Sequence, residues 1–214
     1  MATPSSKAGT KGVPREHRAR QMLDAATEEF GSRGYAAASL PAIAARVGVT
    51  KTLLHQYFGT KEDLYVACLV PVGDRLLGAV RTAMGPDGTT PQTPLRVLDA
   101  IFTALEGRRE SWFVLYDTSL PPGGEAARTA AGYWSAIDRL AAAGTAELLR
   151  GAGSADPLDA DPLDADALMY VWRDLVATLV RWWVKHPEQT PEAMTRRCAR
   201  LFAAAAALAP EGGR

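Results

Sequence analysis

From Ile43 to Tyr65 the chain reads IAARVGVTKTLLHQYFGTKEDLY, with one glycine between two short apolar-patterned segments and Thr-Lys-Thr close behind it. Ser39 is placed to cap a short helix carrying Leu40, Ile43, Ala44 and Val47, and Pro41 is tolerated there because the first turn has no intrahelical N–H bond to lose. Gly48 ends that helix. Thr50 caps the next, which runs to about Phe58. Thr60 with Asp63 three residues on resembles a capping box with the shorter acid and opens a fourth helix from Lys61 into the low eighties. Two short helices joined by a residue free to take positive φ are what a helix-turn-helix needs: the first lies across a DNA backbone and the second enters the major groove. Ala44 permits close contact, and Val49, Leu54 and Phe58 anchor the second helix from below. Thr50, Lys51, Thr52, His55 and Gln56 are left facing outward.

The rest of the chain is patterned for helices. Met22, Leu23, Ala26 and Phe30 form one stripe on a first helix, from Arg15 to near Gly31 or Gly34. After a break at GPDGTTPQTP, helices are expected from Leu95 to about Gly107, around ESWFVLY, from Glu125 to Arg150, from about Ala165 to Lys185, and from Pro191 to Ala209. No strand pattern emerges. The expected fold is all-α, about nine helices: a flexible tail over 1–14, a helix-turn-helix domain over 15–60, and a helical domain over 61–214 with a mobile acidic loop at about 151–163, where DPLDA occurs twice.

Overall charge is uninformative, since 24 basic and 24 acidic residues cancel. Its distribution is not. Through Lys61 there are nine basic residues against four acidic ones, an electropositive end that phosphate binding would require and that an unpartnered solvated face would also produce. Cys68 and Cys198, without Cys-x-x-Cys spacing, read as packing thiols, not a disulfide scaffold. The first fourteen residues lack the apolar core of a signal peptide, and no apolar run approaches the roughly 20 residues of a membrane span. A cytoplasmic location is expected.

MLDAATEEFGSRGY, SLPAIAARVGVTKTLLHQYF and GTKEDLY, in this order between about Arg18 and Leu69, resemble the DNA-binding domain of the tetracycline-repressor (TetR) family of bacterial regulators. That resemblance implies a three-helix DNA-binding head and a C-terminal helical domain that dimerises and usually binds a small effector. It places base-edge contacts at Lys51 and Thr52; lysine can donate to guanine, a threonine methyl can touch thymine, and Gln56 can pair with adenine. Thr50 suits a phosphate at a helix N-terminus. Lys61 matches a phosphate-approaching lysine, and His55 stands where the family commonly has a phosphate-binding tyrosine. Ser39 joins the DNA-facing set at the start of the preceding helix. Tyr57 is either a phosphate contact or a packing residue. Ala38 and Pro41 replace polar residues often found in the family, so fewer contacts are expected from that helix. The basic tail through Arg20 either follows the DNA or only aids solubility.

In the C-terminal half, Trp112, Phe113, Tyr116, Tyr133, Trp134 and Trp172 concentrate aromatics in a chain with only 7% of them; any single one reads as ordinary core, and as a group they suggest an apolar effector pocket. Arg108 and Arg109 read as solvated, with an acidic ligand as the alternative. Leu175, Leu179, Trp182, Trp183, Cys198, Leu201, Ala205 and Leu208 lie on wide apolar faces of the last two helices, which a lone bundle could bury but which suit packing across a two-fold axis. The expected function is a homodimeric transcriptional regulator, a repressor released from a palindromic operator in double-stranded DNA by a small apolar or aromatic effector. Two alternatives stay open: a dimeric regulator without a ligand, and an all-helical enzyme. Enzymatic motifs give the latter little support, because His17, His55 and His186 are far apart and neither a phosphate loop nor a nucleophile elbow occurs. No catalytic residue, metal site, cofactor or membrane partner is expected.

Overall fold

The computed structural model describes residues 14–85, 90–151 and 162–208. The tail expected over 1–14 lies outside them except for Pro14, as do 152–161 of the expected acidic loop. Among the described residues nine helices and no strand occur: α1 (Arg15–Ala37), α2 (Leu40–Arg46), α3 (Lys51–Phe58), α4 (Lys61–Met84), α5 (Thr93–Ala104), α6 (Ser111–Leu115), α7 (Glu125–Gly151), α8 (Pro162–Val184) and α9 (Pro191–Leu208).

The first three helices gather on the N-terminal half of α4. Met22, Ala26 and Phe30 of α1 are buried with Ile43 and Ala44 of α2, Leu54 of α3, and Leu64, Tyr65 and Cys68 of α4. Phe30 and Tyr65 meet edge to face at 4.8 Å. Helix α1 runs past Gly31, which the periodicity offered as one end. At Gly34 it leaves helical geometry, φ 72° and ψ 166°, for a last turn to Ala37. Gly31 stays helical for a different reason: a Cβ there would collide with the Glu110 carbonyl, so the missing side chain is what lets α1 lie against the α6 end.

The C-terminal half of α4 packs against α5 and α7, with α8 on α7 and α9 on α5. Leu76 and Val80 of α4, Leu98 and Phe102 of α5, and Trp183 of α8 are all nearly fully buried. Both cysteines are free and buried, and burial pushes the Cys68 thiol up to about 12.

Between these halves α4 contains Pro71, which removes one helical N–H bond. Close by, the Tyr133 ring of α7 lies on the backbone of Gly73, and its hydroxyl donates to Asp74 Oδ1 (2.6 Å) and the Val70 carbonyl (3.2 Å). A Cβ on Gly73 would stand 2.5 Å from carbons of that ring, nearer than any relaxed contact. Gly73→Ala is therefore expected to push α7 off α4 and to destabilise the fold by about 1–3 kcal/mol. Urea unfolding checks this, and an unchanged midpoint would contradict the packing described.

Candidate nucleic-acid interface and internal cavity

Helix α2 is held by the residue that caps it. Ser39 Oγ accepts from the Ala42 N–H (3.3 Å), while the Ser39 N–H donates to Glu29 Oε1 (3.1 Å). Glu29 is only 2% exposed. A carboxylate so deep needs partners, and it has them in Arg33 (3.4 Å) and Arg46 (3.7 Å) besides Ser39. This acid, which sequence reasoning did not single out, locks α2 to α1. Its signal was its position: residue 29 follows Ala25 and Ala26 by four and three, on the buried stripe.

Beyond α2 the chain turns at Gly48, φ 66°, and the Val49 N–H donates to the Ala44 carbonyl (2.9 Å). A Cβ on Gly48 would meet nothing within 4 Å, so its backbone angle, not space, calls for glycine. Thr50 Oγ1 then accepts from the Leu53 N–H (3.1 Å) and starts α3. Leu54 alone of α3 is fully buried, with Leu53, Tyr57 and Phe58 partly so against the same core. Lys51, Thr52, His55 and Gln56 share the exposed side. The structure thus brings together the outward set expected from the sequence, on a helix rigidly seated on α1, α2 and α4.

Two members of the expected DNA set are differently engaged. Tyr57 is half-buried and lies under the Arg15 guanidinium, 5.2 Å away. The Lys61 ammonium donates to the Ala38 carbonyl (2.7 Å) and lies 4.9 Å over the Tyr35 ring, closing the link between α1 and α2. At the start of α4 the capping box is complete: the Asp63 N–H donates to Thr60 Oγ1 (3.1 Å) and the Thr60 N–H to Asp63 Oδ2 (2.8 Å). The Thr60 backbone N–H holds the Asp63 carboxyl below its ordinary value.

Behind this head a cavity of about 180 Å³ opens among α4, α5, α6, α7 and α8. Trp112, Tyr116 and Trp172 of the six aromatics line it, beside aliphatic residues such as Leu76, Val80 and Ile101. Trp112 and Tyr116 stack at 4.3 Å. The Tyr116 phenol is pushed up by burial first and by the Asp138 charge second. The other three are placed elsewhere. Tyr133 is spent on Gly73 and Asp74. Trp134 sits behind Tyr116 at 6.0 Å with its Nε1 donating to the Leu115 carbonyl (2.7 Å). Phe113 lies under Arg181 at 5.8 Å.

Among the residues expected at a two-fold interface, Leu179, Trp183 and Cys198 are 8%, 0% and 0% exposed, so they fill the protomer's own core instead of facing a partner. The reason is that the apolar face of α8 is broad. Its inner part, with Val176, Leu179, Val180 and Trp183, is buried, and Trp183 meets Phe102 edge to face at 5.3 Å. Its margin carries Val171, which is exposed, and Leu175 and Trp182, which are half-buried, while Leu168, 40% exposed, lies on the cavity lining. Leu201 of α9 is exposed, while the side chains of Ala205 and Leu208 lie outside those described. Arg109 is likewise not solvated: it donates Nη1 to the Trp183 and His186 carbonyls (3.1 Å each) and Nη2 to those of Pro187 and Gln189 (2.9 Å each).

Three helices with a Gly48 turn and a solvent-facing α3 define the helix-turn-helix class of DNA-binding head. Residues 22–68 match the family model for bacterial regulatory proteins of the tetR family. The match falls on the three-helix head and the start of α4. The transcriptional activator FasR of Mycolicibacterium smegmatis is 35% identical over 105 residues, 49% of this chain and 48% of that protein. A transcriptional repressor of Mycobacterium tuberculosis is 45% identical over 62 residues, 29% of this chain and 33% of its own length. The chain thus spans half or less of the length of these curated relatives. Among solved structures, a TetR-like regulator from Rhodococcus is 29% identical with a TM-score of 0.61, covering 86% of this chain and 93% of that one. A TetR-family regulator from Bordetella parapertussis, 18% identical, covers 87% and 94% with a TM-score of 0.71 and shares the fold.

Proposed function

We propose that the chain is a sequence-specific DNA-binding regulator of transcription, acting as a homodimeric repressor that leaves a palindromic operator when a small, largely apolar effector fills the cavity. The observation that carries this reading is the exposed row Lys51, Thr52, His55 and Gln56 on a helix whose other side is locked into the core. Such a row meets base edges only if the helix beneath it is rigid, and Leu54 with the Glu29 anchor of α2 supplies that rigidity. Dimerisation is supported by exposed apolar side chains on the last two helices, Val171 of α8 at 62% and Leu201 of α9 at 50%. Two heads on a two-fold axis would reach successive major grooves roughly 34 Å apart.

The first half of α4 is buried in the head and the second half lines the cavity, so an occupant that shifts Leu76 or Val80 acts on the same helix that carries Lys61 and Tyr65. An occupant changes DNA affinity only by as much as it prefers one head spacing over another.

Selection of bound sequences from a random DNA library is expected to enrich a palindrome. On the enriched site, Lys51→Ala and Gln56→Ala are each expected to cost about 1–3 kcal/mol of binding and to relax the preference at particular base pairs. Recovery of no motif at moderate salt, or a uniform loss across all sequences in both variants, would contradict base reading by α3.

A further inference from the structure

The polar groups that the cavity wall leaves open lie toward α7 and α8. On α5, Thr93 Oγ1 is already engaged by the Thr90 N–H (2.9 Å) and by Arg96 Nη2 (2.8 Å), and Trp112 Nε1 is sealed inside the wall. Asp138 of α7 and Arg173 of α8 are the charged residues of the lining among those described. The Tyr116 phenol belongs with them, since the Asp138 charge raises it and the Arg173 charge lowers it. Trp172, whose Nε1–H is another neutral donor, precedes Arg173 on the lining.

Asp138 and Arg173 also border an outer depression, together with Arg139, Asp166 and Tyr170. The pair thus stands between the apolar chamber and water, its side chains 39% and 35% exposed. Arg173 Nη1 is 3.6 Å from Asp138 Oδ2, which is longer than a hydrogen bond, and a partly exposed pair held so loosely costs little to part. What comes between them must suit both. A carboxylate gains Arg173 and is repelled by Asp138, and an ammonium meets the converse. The outer depression does not tip the balance, because Arg139 and Arg173 face Asp138 and Asp166 there. A neutral group that offers an N–H to the carboxylate and an oxygen to the guanidinium satisfies both at once.

We infer that the cavity takes an uncharged amphiphile, with a compact apolar body in the chamber and a head of the primary carboxamide kind between α7 and α8, and that Asp138 and Arg173 read this head together. This rests on the reading of the cavity as the effector site. A volume of about 180 Å³ suits a phenyl-sized body, being above the roughly 150 Å³ that houses benzene in an engineered cavity of another protein. Trp172 Nε1–H and the Tyr116 hydroxyl can add hydrogen bonds to the oxygen of the head, but they would serve any carbonyl equally. The N–H of the head is what calls for Asp138.

The test compares probes on one skeleton by calorimetry on the full chain near neutral pH: 3-phenylpropanamide, 4-phenyl-2-butanone, in which a methyl replaces the amide NH₂, 3-phenylpropanoate and 3-phenylpropylammonium. In wild type the amide is expected to bind about tenfold more tightly than each of the others. In Asp138→Asn the carboxylate is expected to overtake the amide, and in Arg173→Gln the ammonium is, since each change leaves one charge of the pair without its counterpart. Shifts in opposite directions do not arise from a general loss of packing, and if a variant folds poorly the wild-type ranking decides alone. Tyr116→Phe and Trp172→Phe are expected to keep the amide ahead of the ketone. Equal binding of amide and ketone in wild type, or a charged probe ranking first, overturns the inference while leaving the cavity a ligand site. An unchanged ranking in either folded charge variant, or loss of the amide preference in Tyr116→Phe, overturns the assignment to this pair. If none of the probes binds, the effector reading of the cavity falls, and this inference with it.

Discussion

Arg109→Met is expected to destabilise the protein by roughly 3 kcal/mol, a fall in Tm of about 6–12 °C for a chain of this size. The guanidinium sits where α8 ends and its last carbonyls have no helical partner. Its four hydrogen bonds reach Trp183, His186, Pro187 and Gln189, and its face lies 4.1 Å over the Trp183 ring. Not every carbonyl is orphaned by the change: the Trp183 oxygen also takes the His186 N–H, the His186 oxygen the Gln189 N–H, and the Gln189 oxygen the Trp183 Nε1–H. That redundancy keeps the expected loss below the sum of four charged bonds. Arg109→Lys is expected to recover little, because one ammonium cannot reproduce a planar fork spread over four acceptors. Thermal and urea unfolding of both variants checks this, and a lysine variant as stable as wild type would show that charge alone, without the fork, suffices.

Asp117→Ala is expected to loosen the head from the body as well as to lower stability, by about 2–3 kcal/mol. Asp117 is 8% exposed and follows α6, the helix that puts Trp112 and Tyr116 on the cavity. Its Oδ2 takes the Tyr35 N–H at the end of α1 and the Tyr65 hydroxyl at 3.3 Å, and its Oδ1 takes the Ser119 N–H and hydroxyl, both at 2.7 Å. Ser119 Oγ in turn accepts from the Ala36 N–H (3.1 Å). Tyr65 keeps the Val114 carbonyl at 2.6 Å in the variant, but the Tyr35 N–H loses its acceptor. Amide exchange is therefore expected to accelerate at Tyr35 and Ala36 more than at Leu98 or Phe102 in the body. Unchanged protection at Tyr35 would mean that the carboxylate does not tie the two parts together.

The parts of this architecture legible in the sequence are those decided within a few residues. Thr50 and Thr60 each cap a helix whose start lies one to three residues away, and Gly48 is required by its own φ. Ala44 and Leu54 follow from helical spacing alone. What sequence could not reveal depends on partners far along the chain. Arg109 looked free because its acceptors lie 74 to 80 positions later. The aromatics between 112 and 134 looked like one group, yet Tyr133 and Trp134 are adjacent on a helix and so point about 100° apart; neither lines the cavity. Leu179 and Trp183 were indistinguishable from Val171 because a broad apolar helix face does not say which part of it meets its own protein. Lys61, matched by the resemblance to a phosphate-approaching lysine, bends back to the Ala38 carbonyl 23 positions earlier in the chain.

Helix α4 runs without a loop from Lys61 beneath the head to Met84 beside the cavity, burying Tyr65, Cys68 and Leu69 at one end and Leu76 and Val80 at the other. The two ends are consequently locked in phase. A single residue inserted between them would rotate one set of buried side chains by about 100° against the other, so that either the head or the cavity wall would turn its apolar face to water. The spacing from Tyr65 to Leu76 is therefore fixed in helical turns, and the part of the cavity wall that α4 supplies can be reshaped without disturbing the head only by exchange of side chains upon it.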